Sequence, residues 1–441
     1  MLLRYLALAA LLIAGPAYAQ NRLSVDINQG VTRPMPIAVP DFTTNVATAT
    51  SAGNTSALGD QVAEVISNDL KSSGLFRPLD ELAFTTDVTM ATVTSPSYPN
   101  WRTVGAQALV TGFVNAEANG SITVGCYLYD VFSETALVRQ GFNTEPSAWR
   151  RAAHRCADAV YSRLTGETGY FDTRIVYISE SGKATDRVKR LAIMDQDGAN
   201  HRFLTNGQNL VLTPRFAPNQ QTVAYLSYAQ NRPRIYLFDI ASGSQRLLGD
   251  FPNMSFAPRF SPDGRTLVFS QSVAGNTDIY TMDVGSGRTS RLTNGPGIDT
   301  APSYSPDGRR ITFESDRGGT QQIYVMNADG SGAQRVSFGS GARYGTPVWS
   351  PRGDLIAFTK IGGGKFRIGV MRPDGSGERL LTDSWADEGP TWAPNGRVLM
   401  FFRSQRGGGA SLHSIDLTGI NERRVPTPLE GSDPAWSPLR E

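Results

Sequence analysis

Short runs of alternating apolar and polar residues recur at a regular interval along the last two thirds of the chain. Leu267 and Phe269 form one such alternation, and Ile311 and Phe313 form the next one, 44 residues later. Each run follows a Ser-Pro-Asp-Gly tetrapeptide, in which proline presets φ for a type I turn and glycine accommodates its last position. A period of two predicts a strand with one buried face. The pattern therefore predicts β-hairpins that repeat about every 44 residues.

A tripeptide of the form aromatic-Ser/Ala-Pro marks each repeat. Its successive prolines are separated by 44, 44, 45, 43 and 44 residues, a spacing typical of the four-stranded blades of a β-propeller. A further match, Phe256-Ala257-Pro258, falls off this period and is left out of the repeat. Six copies predict an all-β, six-bladed propeller over residues 170–441. The copies are Phe216-Ala217-Pro218, Phe260-Ser261-Pro262, Tyr304-Ser305-Pro306, Trp349-Ser350-Pro351, Trp392-Ala393-Pro394 and Trp436-Ser437-Pro438.

The two ends of the repeat region complete each other. A strand-like run, Ile175-Val176-Tyr177-Ile178, precedes the first tripeptide, whereas only three residues follow the last one. We therefore expect the C-terminal strand to complete the blade that the Ile175 run begins. Such a shared blade closes the ring and removes the sheet edges that would otherwise pair with other chains.

The segment before the repeats, residues 20–168, has a mixed pattern without any repeat. Strand-like runs occupy residues 36–42, 108–114 and 122–129, and helical spacing of apolar residues covers 57–70 and 148–164. This order of elements predicts an α/β N-terminal domain. A short glycine-containing linker at 165–169 then leads into the propeller.

Residues 1–19 have the pattern of a signal peptide. Arg4 supplies a positive charge, residues 5–14 form an apolar run, and Ala17-Tyr18-Ala19 is a cleavage site of the small-x-small type. The apolar run is shorter than the roughly 20 residues that span a bilayer, and no later run is long enough. We expect cleavage after Ala19 and export to the periplasm, without a membrane-spanning segment.

Charge and cysteine content narrow the possible partners and the fold. The net charge of the 441 residues is +2, and no basic stripe carries interleaved aromatics, so nucleic acid is not expected as a partner. Cys126 lies in a strand-like run and Cys156 in a helical one. In an oxidising compartment the two form one disulfide if the helix packs on the sheet, and two buried free thiols are the alternative.

The sequence contains no motif that points to catalysis, a cofactor or a metal. A Gly-x-Ser-x-Gly elbow is absent, so a propeller-plus-hydrolase architecture lacks its nucleophile. The histidines His154, His201 and His413 are scattered, and no two have the spacing of metal ligands. The stretch Asp-Gln-Asp-Gly at 195–198 resembles a calcium loop but has Asn206 at its twelfth position, so it is interpreted as a turn. We expect a binding protein; a secreted propeller hydrolase, lyase or carbohydrate-binding protein is the alternative.

One end of the innermost strands is the candidate binding surface. Propellers gather loops around the mouth of their channel, which makes a rigid concave surface suited to a partner. The residues just before each aromatic-Ser/Ala-Pro tripeptide fall at this end, and their mix of polar, aromatic and thioether groups suits a protein partner. We call this set the channel face: Asn253, Met254, Ala257, Asp299, Thr300, Tyr344, Thr346, Asp387, Glu388 and Asp433.

The combination of leader, α/β domain and six repeats resembles the TolB family of periplasmic propeller proteins. The repeat Trp-Ser-Pro-Asp-Gly…Ile-Tyr-x-Met-Asp, the junction Leu-Thr-Gly-Glu-Thr-Gly-Tyr-Phe-Asp-Thr-Arg-Ile at 164–175 and the ending Pro-Ala-Trp-Ser-Pro at 434–438 carry the resemblance. It covers the whole chain after the leader.

The resemblance implies that the channel face binds the lipoprotein Pal of the Tol–Pal system. It also implies that residues 20–32 are a mobile segment that engages TolA, and alternating Leu23, Val25 and Ile27 suit a strand that adds to a sheet edge. In the family this system supports outer-membrane integrity and constriction during division. Bacteriocins and outer-membrane proteins are further partners that it implies, for a monomer within a larger complex.

Overall fold

The computed structural model describes residues 23–27, 33–183, 185–219, 221–248 and 255–440. The expected signal peptide at 1–19 lies outside these residues. Among the described residues, no helix is long and apolar enough to cross a membrane.

The N-terminal domain is a five-stranded sheet covered by helices on both faces. The strand order is β4-β1-β5-β6-β7, in which β1 is parallel to β4 and β5, and the pairs β5–β6 and β6–β7 are antiparallel. Helices α1 and α4 pack against each other on one face. The elements are β1 (Met35–Ala38), β2 (Ala49–Thr50), β3 (Gly53–Asn54), α1 (Thr55–Ser72), β4 (Phe76–Pro78), α2 (Met90–Thr94), α3 (Tyr98–Thr103), β5 (Ala108–Ala116), β6 (Ile122–Asp130), β7 (Thr135–Thr144) and α4 (Trp149–Thr165).

The main elements of this domain form for local reasons. Asn54 caps α1 by accepting a hydrogen bond from the backbone N–H of Ser56. Gly166 ends α4 in the left-handed conformation, at φ 75°, where glycine carries no steric penalty. Cys156 of α4 and Cys126 of β6 are joined by a disulfide that fastens the helix to the sheet.

The remaining strands form six antiparallel four-stranded sheets, which confirms the six-bladed propeller. In the first blade the order is β10-β9-β8-β31, and the other five blades each use four consecutive strands. The first three blades contain β8 (Arg174–Ser181), β9 (Val188–Asp195), β10 (Arg202–Phe203), β11 (Val211–Phe216), β12 (Thr222–Ser227), β13 (Arg234–Asp239), β14 (Gln245–Leu247), β15 (Ser255–Phe260), β16 (Thr266–Val273), β17 (Asn276–Asp283) and β18 (Thr289–Arg291). The last three contain β19 (Asp299–Tyr304), β20 (Arg310–Ser315), β21 (Gln322–Asn327), β22 (Gln334–Arg335), β23 (Arg343–Trp349), β24 (Ile356–Gly362), β25 (Lys365–Met371), β26 (Arg379–Leu380), β27 (Asp387–Trp392), β28 (Val398–Ser404), β29 (Ala410–Asp416), β30 (Arg423–Arg424) and β31 (Glu430–Trp436).

The C-terminal strand closes the ring as the sequence predicts. Strand β31 runs antiparallel to β8, with Trp436 opposite Ile175. The backbone N–H of Ser437 donates to the carbonyl of Arg174 at 2.8 Å, and the Arg174 N–H donates to the Ser437 hydroxyl at 2.9 Å. The two ends of the propeller region thus share one blade, and each innermost strand that the structure describes is paired with a second strand.

The alternating strands are buried on both faces, whereas the sequence predicts one buried face. Leu267, Val268 and Phe269 of β16 are successive residues, and all three are fully buried. The physical reason is that blades stack face to face around the ring, so each face of an inner strand meets a neighbouring blade. Ser270 of β16 and Thr312 of β20 are also fully buried, so these polar positions do not mark a solvent-facing side of the strand.

A half-buried carboxylate helps to hold the junction between the domains. Asp158 of α4 accepts the backbone N–H groups of Phe171 at 2.7 Å and Asp172 at 3.0 Å. Burial raises the pKa of Asp158 to about 7, although both hydrogen bonds act to lower it. The rings of Tyr170 and Phe171 each meet Tyr161 edge to face at 5.7 Å, so the start of the propeller packs directly on α4.

Candidate partner-binding site

A ring of six backbone irregularities surrounds the channel. Each innermost strand contains an x-Pro dipeptide, and the register with the second strand shifts across it. The residue before each proline has φ between 48° and 63°, which is the left-handed region. Such bulges bend a strand and redirect its side chains. The six residues are Thr213, Ala257, Ala301, Thr346, Gly389 and Asp433.

The match Phe256-Ala257-Pro258 belongs to this ring and not to the turn repeat. Its proline is the second of a series at 214, 258, 302, 347, 390 and 434, whose spacing equals that of the aromatic-Ser/Ala-Pro prolines. Its exclusion from the turn repeat is therefore correct, but the sequence analysis overlooked that Ala257 occupies a bulge that every blade repeats. The proline spacing was the sequence signal that identifies all six bulges.

Three members of the predicted channel face are buried. Asp299 is 1% exposed and pairs with Arg317 at 2.6 Å; Asp387 is fully buried and pairs with Arg403 through two contacts of 2.6 and 3.0 Å. Tyr344 is also fully buried, and its hydroxyl donates to Glu378 at 2.9 Å. These side chains support the rim from beneath, and the two arginines that pair with the aspartates are partly exposed beside them.

Four other members line the rim itself and are half-buried: Thr300, Thr346, Glu388 and Asp433. The Thr300 hydroxyl donates to one oxygen of Glu314, and the Thr346 backbone N–H donates to the other at 2.7 Å, which links two blades. Ala257 is half-buried on a neighbouring blade, while Asn253 and Met254 lie outside the described residues.

The rim carries an acidic character that the sequence analysis identified only in part. Burial raises the pKa of Glu388, and the nearby Asp433 raises it further, since two carboxylates in one site oppose each other's ionisation. Glu314 adds a third carboxylate from a second strand. Sequence reasoning missed Glu314, Arg317 and Arg403 because it searched the innermost strands alone. In the strand pairing, Glu314 lies opposite Thr300 and Arg403 lies opposite Asp387. Arg317 follows two residues after Ser315, the residue opposite Asp299.

The N-terminal segment is docked between the two domains over its described part, residues 23–27. The Val25 N–H donates to the Leu164 carbonyl at 2.8 Å, and Arg397 of the last blade donates to the Ile27 carbonyl at 2.6 Å. Ile27 is 7% exposed, and Leu23 packs against the same core. These residues form no strand in the structure, in contrast to the sheet-edge strand that their alternation suits.

A buried polar cluster also joins the domains, and sequence spacing did not reveal it. His154 of α4 contacts Asp69 of α1 at 2.6 Å and lies 3.9 Å from Asp197, which is in a propeller turn. Gln196 donates to the second oxygen of Asp69 at 2.8 Å. Burial would lower the pKa of His154, but Asp69 and then Asp197 raise it to about 9, so the imidazole is protonated at neutral pH. Arg150 also pairs with Asp197.

The three carboxylate and imidazole groups of this cluster lie close enough together to be considered as metal ligands. Their oxygen atoms, however, already accept hydrogen bonds from His154, Gln196 and Arg150. The arrangement therefore acts as an ion-paired contact between domains, and the turn at 195–198 belongs to it.

Comparisons with known proteins agree with this architecture. Residues 161–440 match the TolB beta propeller domain, and residues 23–137 match the TolB amino-terminal domain. The chain belongs to the TolB family. Both family domains occur in the order that the fold shows, and together they extend over most of the described residues.

Individual TolB-family proteins match over nearly the whole chain. The Tol-Pal system protein TolB of Rhizorhabdus wittichii is 66% identical over 433 residues, which cover 98% of each chain. The protein of the same name from Zymomonas mobilis is 66% identical over 95% of this chain and 91% of its own. The crystal structure of TolB from Acinetobacter baumannii aligns with a TM-score of 0.81 at 28% identity, over 95% of this chain and 100% of that one.

Proposed function

We propose that this protein is a periplasmic adaptor of the Tol–Pal envelope complex that binds Pal at the channel face and TolA through residues 20–32. The observation that supports it most is the 66% identity to a Tol-Pal system protein TolB across 98% of both chains. In this role it supports outer-membrane integrity and constriction during division.

The rim has the physical properties of a protein-docking surface. Six bulges hold it in place, and hydrogen bonds from Thr300 and Thr346 to Glu314 link neighbouring blades, so little conformational entropy is lost on binding. Glu388 and Asp433 repel each other in the free protein. A cationic group of Pal that approaches them relieves this repulsion, and this favours binding.

Charge reversal at the rim tests the Pal site. We expect Glu388→Arg and Thr300→Arg each to weaken binding of purified Pal about tenfold or more, since each places a bulky cation where the partner docks. Isothermal titration calorimetry measures the affinity, and thermal unfolding checks the fold. Glu117→Arg and Thr289→Arg are matched controls at exposed positions away from the channel, and both should bind Pal normally. Unchanged affinity for Pal in both rim variants would show that Pal does not bind at this face.

The docked N-terminal segment implies a competition between two states. TolA can pair with Leu23, Val25 and Ile27 only after the segment leaves its present site, because the Val25 N–H and the Ile27 carbonyl are already hydrogen-bonded. The free energy of undocking therefore subtracts from the affinity for TolA. The segment acts as a strand donor once it is released.

Two variants test this competition. Deletion of residues 20–32 should abolish TolA binding, whereas Arg397→Gln, which removes the donor to Ile27, should increase both TolA affinity and proteolysis of the segment. Asp416→Asn is the control, since it weakens the Asp416 contact of Arg397 but leaves the Ile27 contact in place. Full TolA binding by the deletion variant would contradict the proposed role of the segment.

A further inference from the structure

A cavity of about 410 Å³ occupies the channel at the mouth opposite the channel face. This mouth is formed by the aromatic-Ser/Ala-Pro turns. It is on the side of the N-terminal domain, where Asn395 donates to the Thr168 carbonyl at 3.2 Å. The residue after each bulge proline lines the cavity, one from each blade. In blade order they are Ala435, Arg215, Arg259, Ser303, Val348 and Thr391.

The two arginines of this ring bring positive charge into a confined space without matching negative charge. Among the described residues, no carboxylate lies within ion-pair distance, 4.0 Å, of either Arg215 or Arg259. Burial lowers the pKa of both guanidinium groups. The negative charge of Asp433 partly offsets this effect at Arg215, whereas the positive charge of Arg215 lowers the pKa of Arg259 further. Like charges held together in a cavity are unfavourable unless an anion accompanies them.

Two hydroxyl groups of the ring are free to donate into the same cavity. Ser303 Oγ accepts the backbone N–H of Trp349 at 3.3 Å, and Thr391 Oγ1 accepts that of Trp436 at 3.2 Å. Neither hydroxyl donates to any acceptor in the described part of the chain. Because a hydroxyl can accept and donate together, each retains a hydrogen for a ligand.

We propose that this cavity binds one small organic anion, with its carboxylate or phosphate group held by Arg215, Arg259 and Ser303. These three side chains come from consecutive blades, so their donors converge on one arc of the wall. Guanidinium groups bind both oxyanions through paired N–H donors. On the opposite arc, Val348 and Ala435 present apolar groups to the body of the ligand, and the Thr391 hydroxyl between them supplies one further donor.

The size of the cavity sets the class of ligand. A volume of about 410 Å³ is at the lower end of the range for ligand pockets, so it admits a compact acid and excludes a folded chain. The cavity residues are distinct from the channel face and from residues 20–32, although Asp433 of the channel face acts electrostatically on Arg215. The cavity also differs from the acidic rim in sign of charge, and the channel is therefore bipolar along its length.

Calorimetric titration of the full mature chain tests the proposal, in a buffer low in chloride at pH 7. The probes are phenyl phosphate and benzoate, which distinguish phosphate from carboxylate, and inorganic phosphate, which lacks the apolar body. We expect saturable binding of one equivalent of at least one aromatic acid, with inorganic phosphate weaker. Arg259→Gln should reduce the affinity about tenfold or more, because a hydrogen-bonded charge partner is lost. Arg259→Lys keeps the charge but not the paired donors, so its affinity should lie between those of the parent chain and Arg259→Gln.

Arg265→Gln is the matched control, an exposed arginine in a turn of the same blade, and it should bind as the parent chain does. Thermal unfolding separates binding from folding. Without ligand, Arg259→Gln should melt no lower than the parent chain, since an unbalanced charge is removed; with ligand, only the parent chain should gain stability. Absence of saturable binding of both aromatic acids to the parent chain would overturn the proposal. Equal affinity in the parent chain and Arg259→Gln would overturn it as well.

Discussion

The disulfide between Cys126 and Cys156 gives the most direct prediction about stability. Both residues are fully buried; one lies on strand β6 of the sheet and the other on α4. Helix α4 also carries His154 and Asp158, which hold the propeller junction. Breaking the bond should therefore loosen the N-terminal domain and its attachment together. The perturbation is reduction of the bond, or the double substitution Cys126→Ala/Cys156→Ala.

The expected magnitude follows from the length of chain that the bond closes. A sequence separation of 30 residues corresponds, in the loop-entropy relation, to about 3.6 kcal/mol at 25 °C. Reduction leaves both sulfurs in the core, so its cost should stay near this value. The double alanine variant also removes two buried sulfur atoms and should lose somewhat more. Such a loss is a large fraction of the stability of an ordinary domain.

Thiol titration followed by urea unfolding measures this loss. Denatured, unreduced protein should contain no free thiol, and two free thiols would remove the bridge altogether. The protein is first denatured with reductant, because the buried bond is inaccessible to reductant in the native state. The urea midpoint for unfolding of the N-terminal domain should then be lower than that of the oxidised protein. The alanine variant serves as control and should not respond to reductant. A urea midpoint that is the same for oxidised and fully reduced protein would refute the stabilising role of the disulfide.

Two further predictions concern ring closure and pH. Trp436→Ala should destabilise the propeller by about 3–5 kcal/mol in urea unfolding, because it removes a buried ring and its hydrogen bond to Thr173. The control Trp385→Ala changes a side chain that is 41% exposed and should cost far less stability. Equal losses in the two variants would contradict closure of the ring by this strand. The pKa of Asp158 is raised to about 7 in the folded state. Its contribution to the free energy of unfolding is therefore fully present below about pH 4, where the carboxyl is protonated in both states, and is lost as the pH rises to 7. Asp158→Asn should flatten the thermal stability profile over this range, and an unchanged slope would assign it to other groups.

The architecture of the propeller was predictable from the sequence because its determinants are local and repeated. The turn tetrapeptides, the strand alternation and the 43–45-residue proline spacing each occur within one blade, and six copies leave little ambiguity. The shared blade followed from the strand at Ile175 and the ending at Trp436, and the structure pairs these two residues directly. The second proline series, to which Pro258 belongs, was equally visible in the sequence but was not recognised as a repeat.

Which side chains reach solvent was decided by packing between blades. Asp299 and Thr300 are adjacent in sequence, yet one is buried beneath Arg317 and the other borders the rim. Nothing in their local pattern separates them, since the burial of each depends on a second strand and on the next blade.

The two polar groupings inside the molecule depend entirely on tertiary structure. Asp69 and His154 are 85 residues apart, and Arg215 and Arg259 come from separate blades. Sequence determined how many blades form and where each begins, because turn chemistry and strand periodicity act over a few residues. Only the closed ring and the docked domain bring distant charges together, because proximity between them is a property of the assembled layers and leaves no periodic trace in the chain.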